Sequence, residues 1–225
     1  MMRLLIVSAT IKEIEPLHRL ISGEEFSASE KDVCIFFNHE ISWLITGVGG
    51  IATGVVLSAH LTVHRYDLVI NLGIAGAFNR ALAIGTVVQV REERFGDLGV
   101  EEADGSFLDL FSAGLAKLDE EPFANGVINA PHVGGRLPSV RAISVNKVHG
   151  NEKSIQHITE KYQPEIESME GASFFYCCRF HRHLFIEIRA ISNYVEKRNR
   201  DQWNIPLAIS NLALVTKEFL EQLGR

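Results

Sequence analysis

The chain has 225 residues, of which 46% are hydrophobic, and its formal net charge is −6 at pH 7. This size is enough for one buried core, so we expect a single domain over residues 1–225. The acidic balance and the lack of a basic run exclude a general nucleic-acid binder, because neutralising phosphates needs clustered Lys and Arg. The apolar stretch at the N-terminus is too short for a signal peptide or a membrane span, so we expect a cytoplasmic protein without a membrane partner.

The three cysteines are Cys34, Cys177 and Cys178. Their spacing gives neither a disulfide framework nor a paired metal-ligand motif. Free cysteine most often packs as a small hydrophobe, so we expect buried, inert thiols in a reducing compartment. Neither a metal site nor a cofactor is expected.

The first strand and helix have clear signals. Residues 3–8 form a continuous apolar run, which predicts a strand buried on both faces. Thr10 and Glu13 have the spacing of a capping box and Gly23 is a typical helix end, so a helix is expected between them. Glu13 therefore lies in the first turn after a strand. On local sequence, a backbone cap and a catalytic carboxylate are equally good interpretations of Glu13.

A glycine-rich turn follows a predicted hairpin. The strand-like runs 33–37 and 41–46 are separated by a polar turn, and the second leads into residues 47–52, GVGGIA, and a helix to about residue 66. This turn matches the G-x-G-x-x-A pattern of dinucleotide-binding proteins, so an NAD-dependent oxidoreductase is one alternative. However, that pattern belongs in the first βα turn, with an acidic residue ending the next strand, and Asp67 begins the next strand here. We therefore interpret the glycines as backbone that approaches a ligand closely.

The middle of the chain alternates strands with polar segments. Residues 67–71 predict a buried strand that ends in the small residues 72–76, and residues 85–90 predict another. Segment 91–125 has no periodicity but contains four phenylalanines. Loops of this length are usually functional, so we expect a substrate-covering or subunit-contacting segment, with a plain surface loop as the alternative.

The remaining elements complete an α/β pattern. We expect a strand at 139–145 and helices at about 152–162 and 203–223. His149 lies between this strand and the first of these helices, and it either touches a ligand or caps that helix. Buried apolar strands that alternate with helices predict a three-layer sandwich around a central mixed, largely parallel twisted sheet.

The stretch 165–193 carries the most chemistry-bearing side chains. Met169 and Glu170 open a helix-length apolar segment, and the strand-like run 184–191 leads to Asn193. In an open α/β sheet, the loops beyond the carboxyl ends of strands bind the ligand. We therefore expect Glu170 and Asn193 to face one crevice.

Several short motifs together resemble the nucleoside phosphorylase and nucleosidase superfamily. They lie at 9–14, 46–50, 71–76, 169–170 and 189–193, so the resemblance spans nearly the whole chain. Within the superfamily, residues 95–99, 167–171 and 192–195 are most similar to those of futalosine hydrolases. The resemblance implies a nucleoside phosphorylase-like fold and a purine nucleoside N-glycosidase that cleaves futalosine to hypoxanthine and dehypoxanthine futalosine.

The resemblance also implies residue roles. Glu13 matches a water-activating glutamate, and Glu170 matches the glutamate that accepts hydrogen bonds from the ribose 2′- and 3′-hydroxyls. Arg189 matches an arginine near the water, with a purely structural ion pair as the alternative. The remaining substrate-binding residues are expected to be Met169, Thr46, Gly47, Gly73, Val148 and His149.

Asn193 departs from the adenine-releasing nucleosidases, which have an acid-catalytic Asp at this place. An amide cannot act as an acid at neutral pH, but it donates from its NH₂ and accepts through its carbonyl, which matches a 6-oxopurine. Asn193 therefore indicates hypoxanthine as the leaving group. A methylthioadenosine/adenosylhomocysteine-type nucleosidase is the alternative.

Water is favoured over phosphate as the nucleophile. Related phosphorylases surround phosphate with arginines, whereas this chain has Glu13 and Asn71 at those places. A carboxylate would repel the phosphate dianion, so hydrolysis is favoured. A purine nucleoside phosphorylase is the second enzyme alternative, and a nucleoside-binding sensor is the non-enzyme alternative. The expected partners are a small purine nucleoside and a second copy of the chain, in a homodimer or higher homo-oligomer.

Overall fold

The computed structural model describes residues 1–27, 33–134 and 137–223. In chain order its elements are β1 (Met2–Ser8), α1 (Ile11–Ser22), β2 (Val33–Phe36), β3 (His39–Ile45), α2 (Gly50–Val63), β4 (Leu68–Ala77), β5 (Val87–Phe95), β6 (Gly99–Glu101), β7 (Phe107–Asp109), β8 (Ile128–Asn129), β9 (Ser139–Ser144), α3 (Glu152–Tyr162), β10 (Ile166–Ser168), α4 (Gly171–Phe180), β11 (Phe185–Tyr194) and α5 (Ile205–Leu223). Within these ranges, no helix combines the length and apolar character that a membrane span requires.

A mixed sheet of nine strands organises the molecule. Its main path runs β10-β9-β5-β11-β4-β1-β3-β2, with β8 paired to β5. Strand β10 pairs in parallel with β9 and also antiparallel with β4. Strands β6 and β7 form a separate two-stranded sheet. The predicted α/β fold with a central mixed sheet is confirmed.

Helices cover both faces of this sheet, because the buried strands alternate their side chains between two cores. In β1, Leu4 and Ile6 pack with α1 and α5, whereas Leu5 and Val7 pack with α2 and α4. A strand with apolar side chains on both faces is typical of a sheet covered on both sides.

The first predicted elements are confirmed. Thr10 precedes α1, and the Glu13 side chain accepts a hydrogen bond from the Thr10 backbone N–H, as a capping box requires. Gly23 ends the helix with a φ of 77°, in the left-handed region that glycine favours. The hairpin of β2 and β3 turns at Phe37 and Asn38, which both have positive φ.

Two predicted strand ends were wrong. The small residues 72–76, expected beyond a strand, lie inside β4, which continues to Ala77. Gly73 faces the buried guanidinium of Arg189, and a Cβ there would overlap Nη1. The glycine therefore makes room for a buried side chain within the strand. Similarly, β5 continues to Phe95, five residues beyond the expected end.

Segment 91–125 supplies none of the residues that line the cavity at the carboxyl ends of β1, β10 and β11. The interpretation that it covers the substrate within one chain was therefore wrong. The segment contains the end of β5 and the hairpin of β6 and β7. Phe123 makes edge-to-face contacts with Phe95, Phe111 and Tyr176, so the segment packs beside α4. Contact with another subunit stays a prediction.

Strand β11 carries charge in its middle. Glu187 and Arg189 are both buried and point into the region between β11, β4 and α4. The register shifts between Ile191 and Asn193, so a bulge re-aims the end of the strand. Asn193 lies inside β11, not beyond it as expected.

Candidate active site

A cavity of about 390 Å³ lies at the carboxyl ends of β1, β10 and β11. Its lining residues are Ala9, Thr10, Lys12, Glu13, Val48, Ile74, Ala75, Gly76, Val148, His149, Glu167, Ser168, Met169, Glu170, Ser192, Asn193, Arg198, Trp203, Ile205 and Ile209. The volume is in the range typical of small-ligand sites. Most of the wall is apolar, and the polar groups gather at two ends.

At one end, the Glu13 carboxylate is anchored by four donors. Its Oε2 accepts from Ser8 Oγ at 3.1 Å, from Thr10 N at 3.1 Å and from Thr10 Oγ1 at 2.8 Å. Its Oε1 accepts from Ile74 N at 3.2 Å. Oε2 is therefore fully used, while Oε1 has room for another donor. Glu13 is both a helix cap and a residue that lines the cavity.

Glu170 lies beside Glu13, at the residue before α4. Its Oε1 accepts from the backbone N–H of Gly49 at 3.0 Å, and its Oε2 accepts from Arg189 Nη1 and Nη2 at 3.4 Å. Each oxygen keeps acceptor capacity that a ligand hydroxyl can use. The glycine turn at 47–52 thus turns a backbone amide toward a carboxylate of the same chain, not toward a phosphate.

Arg189 is 2% exposed and holds this end together from beneath. Its Nε donates to Glu187 Oε1 at 2.6 Å, and its guanidinium faces Glu170. Although burial alone lowers the pKa of a guanidinium, the neighbouring carboxylates of Glu187, Glu170 and Glu13 raise that of Arg189. Arg189 is not among the residues that line the cavity.

At the other end, Asn193 presents an amide. Its Oδ1 accepts from Ser192 Oγ at 2.8 Å, and its Nδ2 donates to Tyr194 O at 3.0 Å. These contacts fix the amide orientation and leave one N–H of Nδ2 and one acceptor position of Oδ1 for a ligand.

His149 and Glu167 form a second polar pair at this end. Glu167 Oε2 is 2.6 Å from His149 Nδ1, and Glu167 Oε1 accepts from the His149 backbone N–H at 3.0 Å. The two contacts lock the imidazole against β10. Because a carboxylate is an acceptor, a ring proton belongs on Nδ1, and in the tautomer that carries this proton alone Nε2 is an acceptor.

The structure brings six of the predicted residues to this cavity and leaves four outside its wall. Glu13, Asn193, Glu170, Met169, Val148 and His149 line it. The four residues outside the wall are Arg189, Thr46, Gly47 and Gly73. Of these, Arg189 contacts Glu170, and Gly73 lies against Glu13 and Arg189. Thr46 is buried and its hydroxyl contacts Gly47 O and Thr53 Oγ1. The ligand roles of all ten residues stay predictions.

A buried carboxyl pair lies under the site, and sequence reasoning missed it. Glu93 on β5 and Glu187 on β11 are both 0% exposed. Burial and the charge of Glu187 raise the pKa of Glu93 well above its ordinary value. The available signal was a glutamate inside an otherwise apolar strand, at Glu187, where an unpaired charge is costly. Glu167 was also missed, because on sequence it reads as an ordinary residue before Met169-Glu170.

Within the described ranges, no group of three or more His, Cys, Asp or Glu side chains has an arrangement suited to a metal ion.

Comparisons with known proteins agree with this architecture. A model of the phosphorylase superfamily matches residues 3–221. The futalosine hydrolase of Acidothermus cellulolyticus is 30% identical over 174 residues, which cover 75% of this chain and 70% of that protein. The futalosine hydrolase of Thermus thermophilus is 27% identical over 188 residues, which cover 81% of this chain and 82% of that protein.

Among solved structures, the native futalosine hydrolase of Helicobacter pylori strain 26695 superposes with a TM-score of 0.80 at 16% identity, covering 98% of each chain. At this identity the likeness shows the fold alone. The sequence matches carry the membership: the chain belongs to the phosphorylase superfamily, in the family that contains these futalosine hydrolases.

Proposed function

We propose that this protein hydrolyses the N-glycosidic bond of a purine nucleoside, with futalosine as the substrate and hypoxanthine and dehypoxanthine futalosine as the products. One observation carries the proposal: two anchored carboxylates, Glu13 and Glu170, line the same cavity as the amide of Asn193 and the pair of His149 and Glu167. This would place the protein in the futalosine route of menaquinone biosynthesis.

Glu170 is suited to hold the ribose. Cleavage of an N-glycoside passes through an oxocarbenium-like state, which a nearby carboxylate stabilises. Both Glu170 oxygens keep acceptor capacity beside their contacts to Gly49 and Arg189, so each can accept from one ribose hydroxyl. These contacts orient the sugar and place negative charge near the carbon that becomes positive.

Glu13 is suited to activate the water. Oε2 is held by three donors, so the proton of the attacking water goes to Oε1, which has only the Ile74 N–H as a partner. The water oxygen then bonds to C1′ as the C1′–N9 bond breaks. The bonding electron pair leaves with N9 of the base, which takes up a proton from solvent, and Glu13 returns its proton to solvent.

The base end supports a 6-oxopurine. Asn193 has one free N–H for the O6 or N7 acceptor, and His149 Nε2 is an acceptor for the N1–H of hypoxanthine. Adenine has an acceptor at N1, so it would leave the His149 Nε2 acceptor without a donor, whereas the free N–H and the free acceptor position of Asn193 can pair with either base. Each such mismatch costs about 1–3 kcal/mol. This disfavours the methylthioadenosine-type alternative.

The ribose end disfavours phosphorolysis. Glu13 and Glu170 lie together there, and the nearest buried cation, Arg189, is already bonded to Glu187 and Glu170. A phosphate dianion would have to approach two carboxylates, and the cations in the cavity wall are the exposed side chains of Lys12 and Arg198. Water has no such cost.

We also propose a homodimer or higher homo-oligomer in the cytoplasm, built from one domain per chain. Ile51, Val55 and Phe180 are exposed apolar side chains on α2 and α4, and Val48 of the cavity wall is exposed as well. A second copy would cover such a patch. The free cysteines agree with a reducing compartment.

The test is to incubate the purified protein with futalosine, inosine and methylthioadenosine in the absence of phosphate, and to identify the released base by chromatography. We expect hypoxanthine from futalosine, at a higher kcat/KM than for the other two. A Glu13→Gln sample prepared in parallel controls for contaminating nucleosidases.

Four results would contradict the proposal. Release that needs added phosphate would indicate a phosphorylase, and preferred release of adenine would indicate the methylthioadenosine-type activity. Binding of nucleoside without release of base would indicate a sensor. Retention of NADH would favour the dinucleotide alternative.

A further inference from the structure

Two carboxyl groups meet in the core beneath the proposed active site. Glu93 comes from β5 and Glu187 from β11, and neither is exposed to solvent. A Cβ added to Gly171 would overlap Glu93 Oε1 and would lie 2.7 Å from Glu187 Oε2. The two oxygens therefore converge on the same point above the Gly171 backbone.

These converging oxygens are the two that have no hydrogen-bond partner. Glu93 Oε1 and Glu187 Oε2 are buried and unpaired among the described residues, whereas the other oxygen of each group is bonded. Glu93 Oε2 accepts from Ser144 Oγ at 3.0 Å and from Arg94 N at 3.2 Å. Glu187 Oε1 accepts from Arg189 Nε at 2.6 Å. Two ionised carboxylates in this arrangement would repel one another in a medium of low dielectric.

We propose that Glu93 and Glu187 share one proton, carried by Glu93 Oε1 and donated to Glu187 Oε2, and that this pair positions Arg189 under the ribose-binding carboxylate. One proton pairs both orphan oxygens at once. Glu187 then keeps its negative charge for Arg189, and Glu93 is the neutral partner.

The assignment of the proton to Glu93 follows from its neighbours. Glu187 has a charge-assisted bond to a guanidinium, which favours its ionised form, whereas Glu93 has only a hydroxyl and a backbone N–H. Burial and the charge of Glu187 both raise the pKa of Glu93, and Arg189 opposes this only in part. Like-charge pairs of carboxyl groups behave in this way.

The groups that face the pair come from β11 itself and from two further elements. Arg189 lies on β11, Ser144 lies on β9, and Glu170 precedes α4. Cys178 on α4 also faces Glu187, and the pKa of its thiol is raised by burial and by the charges of Cys177 and Glu187. Arg189 is the cation among these groups. Glu170 contacts Arg189 and also lines the cavity.

The pair acts on the site through Arg189. The guanidinium donates to Glu187 with Nε and faces Glu170 with Nη1 and Nη2. Loss of the shared proton would add a second negative charge beneath Arg189 and would draw the guanidinium away from Glu170. Glu93 and Glu187 are thus positioning residues. Misplacement of a reacting group by about 1 Å can cost roughly a hundredfold in rate.

The same geometry explains Gly171. The residue after Glu170 begins α4, where a side chain would be tolerated by the helix. A Cβ at this place would enter the space of the shared proton. The glycine and the carboxyl pair therefore form one unit.

The first experiment compares four proteins by their pH profiles: the wild type, Glu93→Gln, Glu93→Ala and Glu92→Gln. Glu93→Ala should lower kcat/KM about ten- to a hundredfold at pH 7. Glu93→Gln should recover most of this loss, because its NH₂ donates to Glu187 Oε2 as the shared proton does. Glu92→Gln makes the same chemical change one residue earlier on β5 and should behave as the wild type.

The wild type and Glu93→Gln should differ most in kcat/KM on the alkaline side of the pH profile. The wild type should lose kcat/KM as the pH rises through the raised pKa of Glu93, whereas Glu93→Gln has no proton to lose there and should not. Between the ordinary carboxyl range and that raised pKa, the folded protein binds more protons than the unfolded chain. The melting temperature of the wild type should therefore fall with pH relative to that of Glu93→Gln.

A spectroscopic measurement tests the proton without substrate. The infrared spectrum of the wild type at pH 7 should contain the C=O band of a buried protonated carboxyl group, and Glu93→Gln should lack it. An absent band, or an alkaline limb that Glu93→Gln retains, would overturn the proposal. Only the kinetic readout rests on the proposed function. The infrared band and the melting curve do not, so the two proposals can fail separately.

Discussion

The two ends of the cavity are built in different ways. At the ribose end, the carboxylates are held by the backbone N–H groups of Thr10, Ile74 and Gly49 together with side-chain donors of Ser8, Thr10 and Arg189. At the base end, the amide of Asn193 and the imidazole of His149 are held by short contacts to neighbouring side chains and to one carbonyl. The first arrangement fixes charge partly through the fold itself. The second fixes a pattern of donors and acceptors through replaceable side chains.

This difference indicates how the site can change substrate while keeping its reaction. Backbone donors do not depend on side-chain identity, so the ribose end depends partly on the fold, and otherwise on two glutamates and on the side chains of Ser8, Thr10 and Arg189. The base end depends on the identities of Asn193, His149 and Glu167. We therefore expect substitutions at the ribose end to abolish the reaction and substitutions at the base end to redirect it.

The largest expected effect is that of Glu13→Gln. The amide keeps the shape and loses the base, so kcat should fall about 10²–10⁴-fold while KM changes a few fold. Glu15→Gln on the same helix should leave both unchanged, because that side chain makes only a surface pair with Arg19. Steady-state kinetics at pH 7, with melting curves to confirm folding, measure this. Turnover of the variant at the wild-type rate would remove Glu13 from the mechanism.

Glu170→Ala should impair both binding and turnover. Ribose contacts act in the ground state and in the transition state, so KM should rise and kcat should fall. Each lost hydrogen bond to the carboxylate is worth about 1.5–3 kcal/mol, or roughly ten- to a hundredfold. A 2′,3′-dideoxy substrate should show a similar loss with the unmodified protein. Equal cleavage of the dideoxy and ribo substrates would contradict the role of Glu170.

Asn193→Asp should change specificity more than rate. An ionised Asp has no donor for a 6-oxopurine, and a protonated Asp can serve N7 of adenine as an acid. The ratio of kcat/KM for futalosine to that for its 6-amino analogue should fall about ten- to a hundredfold. An unchanged ratio would show that Asn193 does not read the base.

Glu167→Gln should give the smallest effect. The imidazole loses its charged partner, and its Nε2 is then less firmly held as an acceptor toward the base. We expect the same futalosine to amino-analogue ratio to fall by about tenfold or less, chiefly through KM. Glu165→Gln is the matched control, because Glu165 pairs with Arg91 and Arg141 away from the cavity. A loss of kcat with no change in the ratio would assign Glu167 a structural role only.

The sequence predicted the ribose end well because its signals are local. The capping-box spacing with Thr10 indicates Glu13, and the position between a strand and a helix indicates Glu170. Helix starts and strand ends follow from a few neighbouring residues, which is why α1, α3 and the β2–β3 hairpin were found close to their observed bounds.

The parts that the sequence did not predict depend on contacts between distant residues. Gly73 reads as a loop residue, and only the arrival of Arg189 on the neighbouring strand explains a glycine inside β4. Glu93 and Glu187 are 94 positions apart in number and meet only because β5 and β11 pair. Glu167 became recognisable as a site residue once β10 was seen beside His149.

The double pairing of β10 closes five strands into a ring. From β10 the pairings pass through β9, β5, β11 and β4 and return to β10. Glu167, Glu93, Glu187 and Arg189 all stand on strands of this small barrel, so none of them can move far without breaking a closed circuit of hydrogen bonds. We therefore expect the motions that admit a nucleoside to lie outside the barrel, in residues 9–12 and in the connection from β11 to α5. In hydrogen exchange, we expect the barrel amides to exchange last and those of residues 195–204 to be slowed by a bound nucleoside.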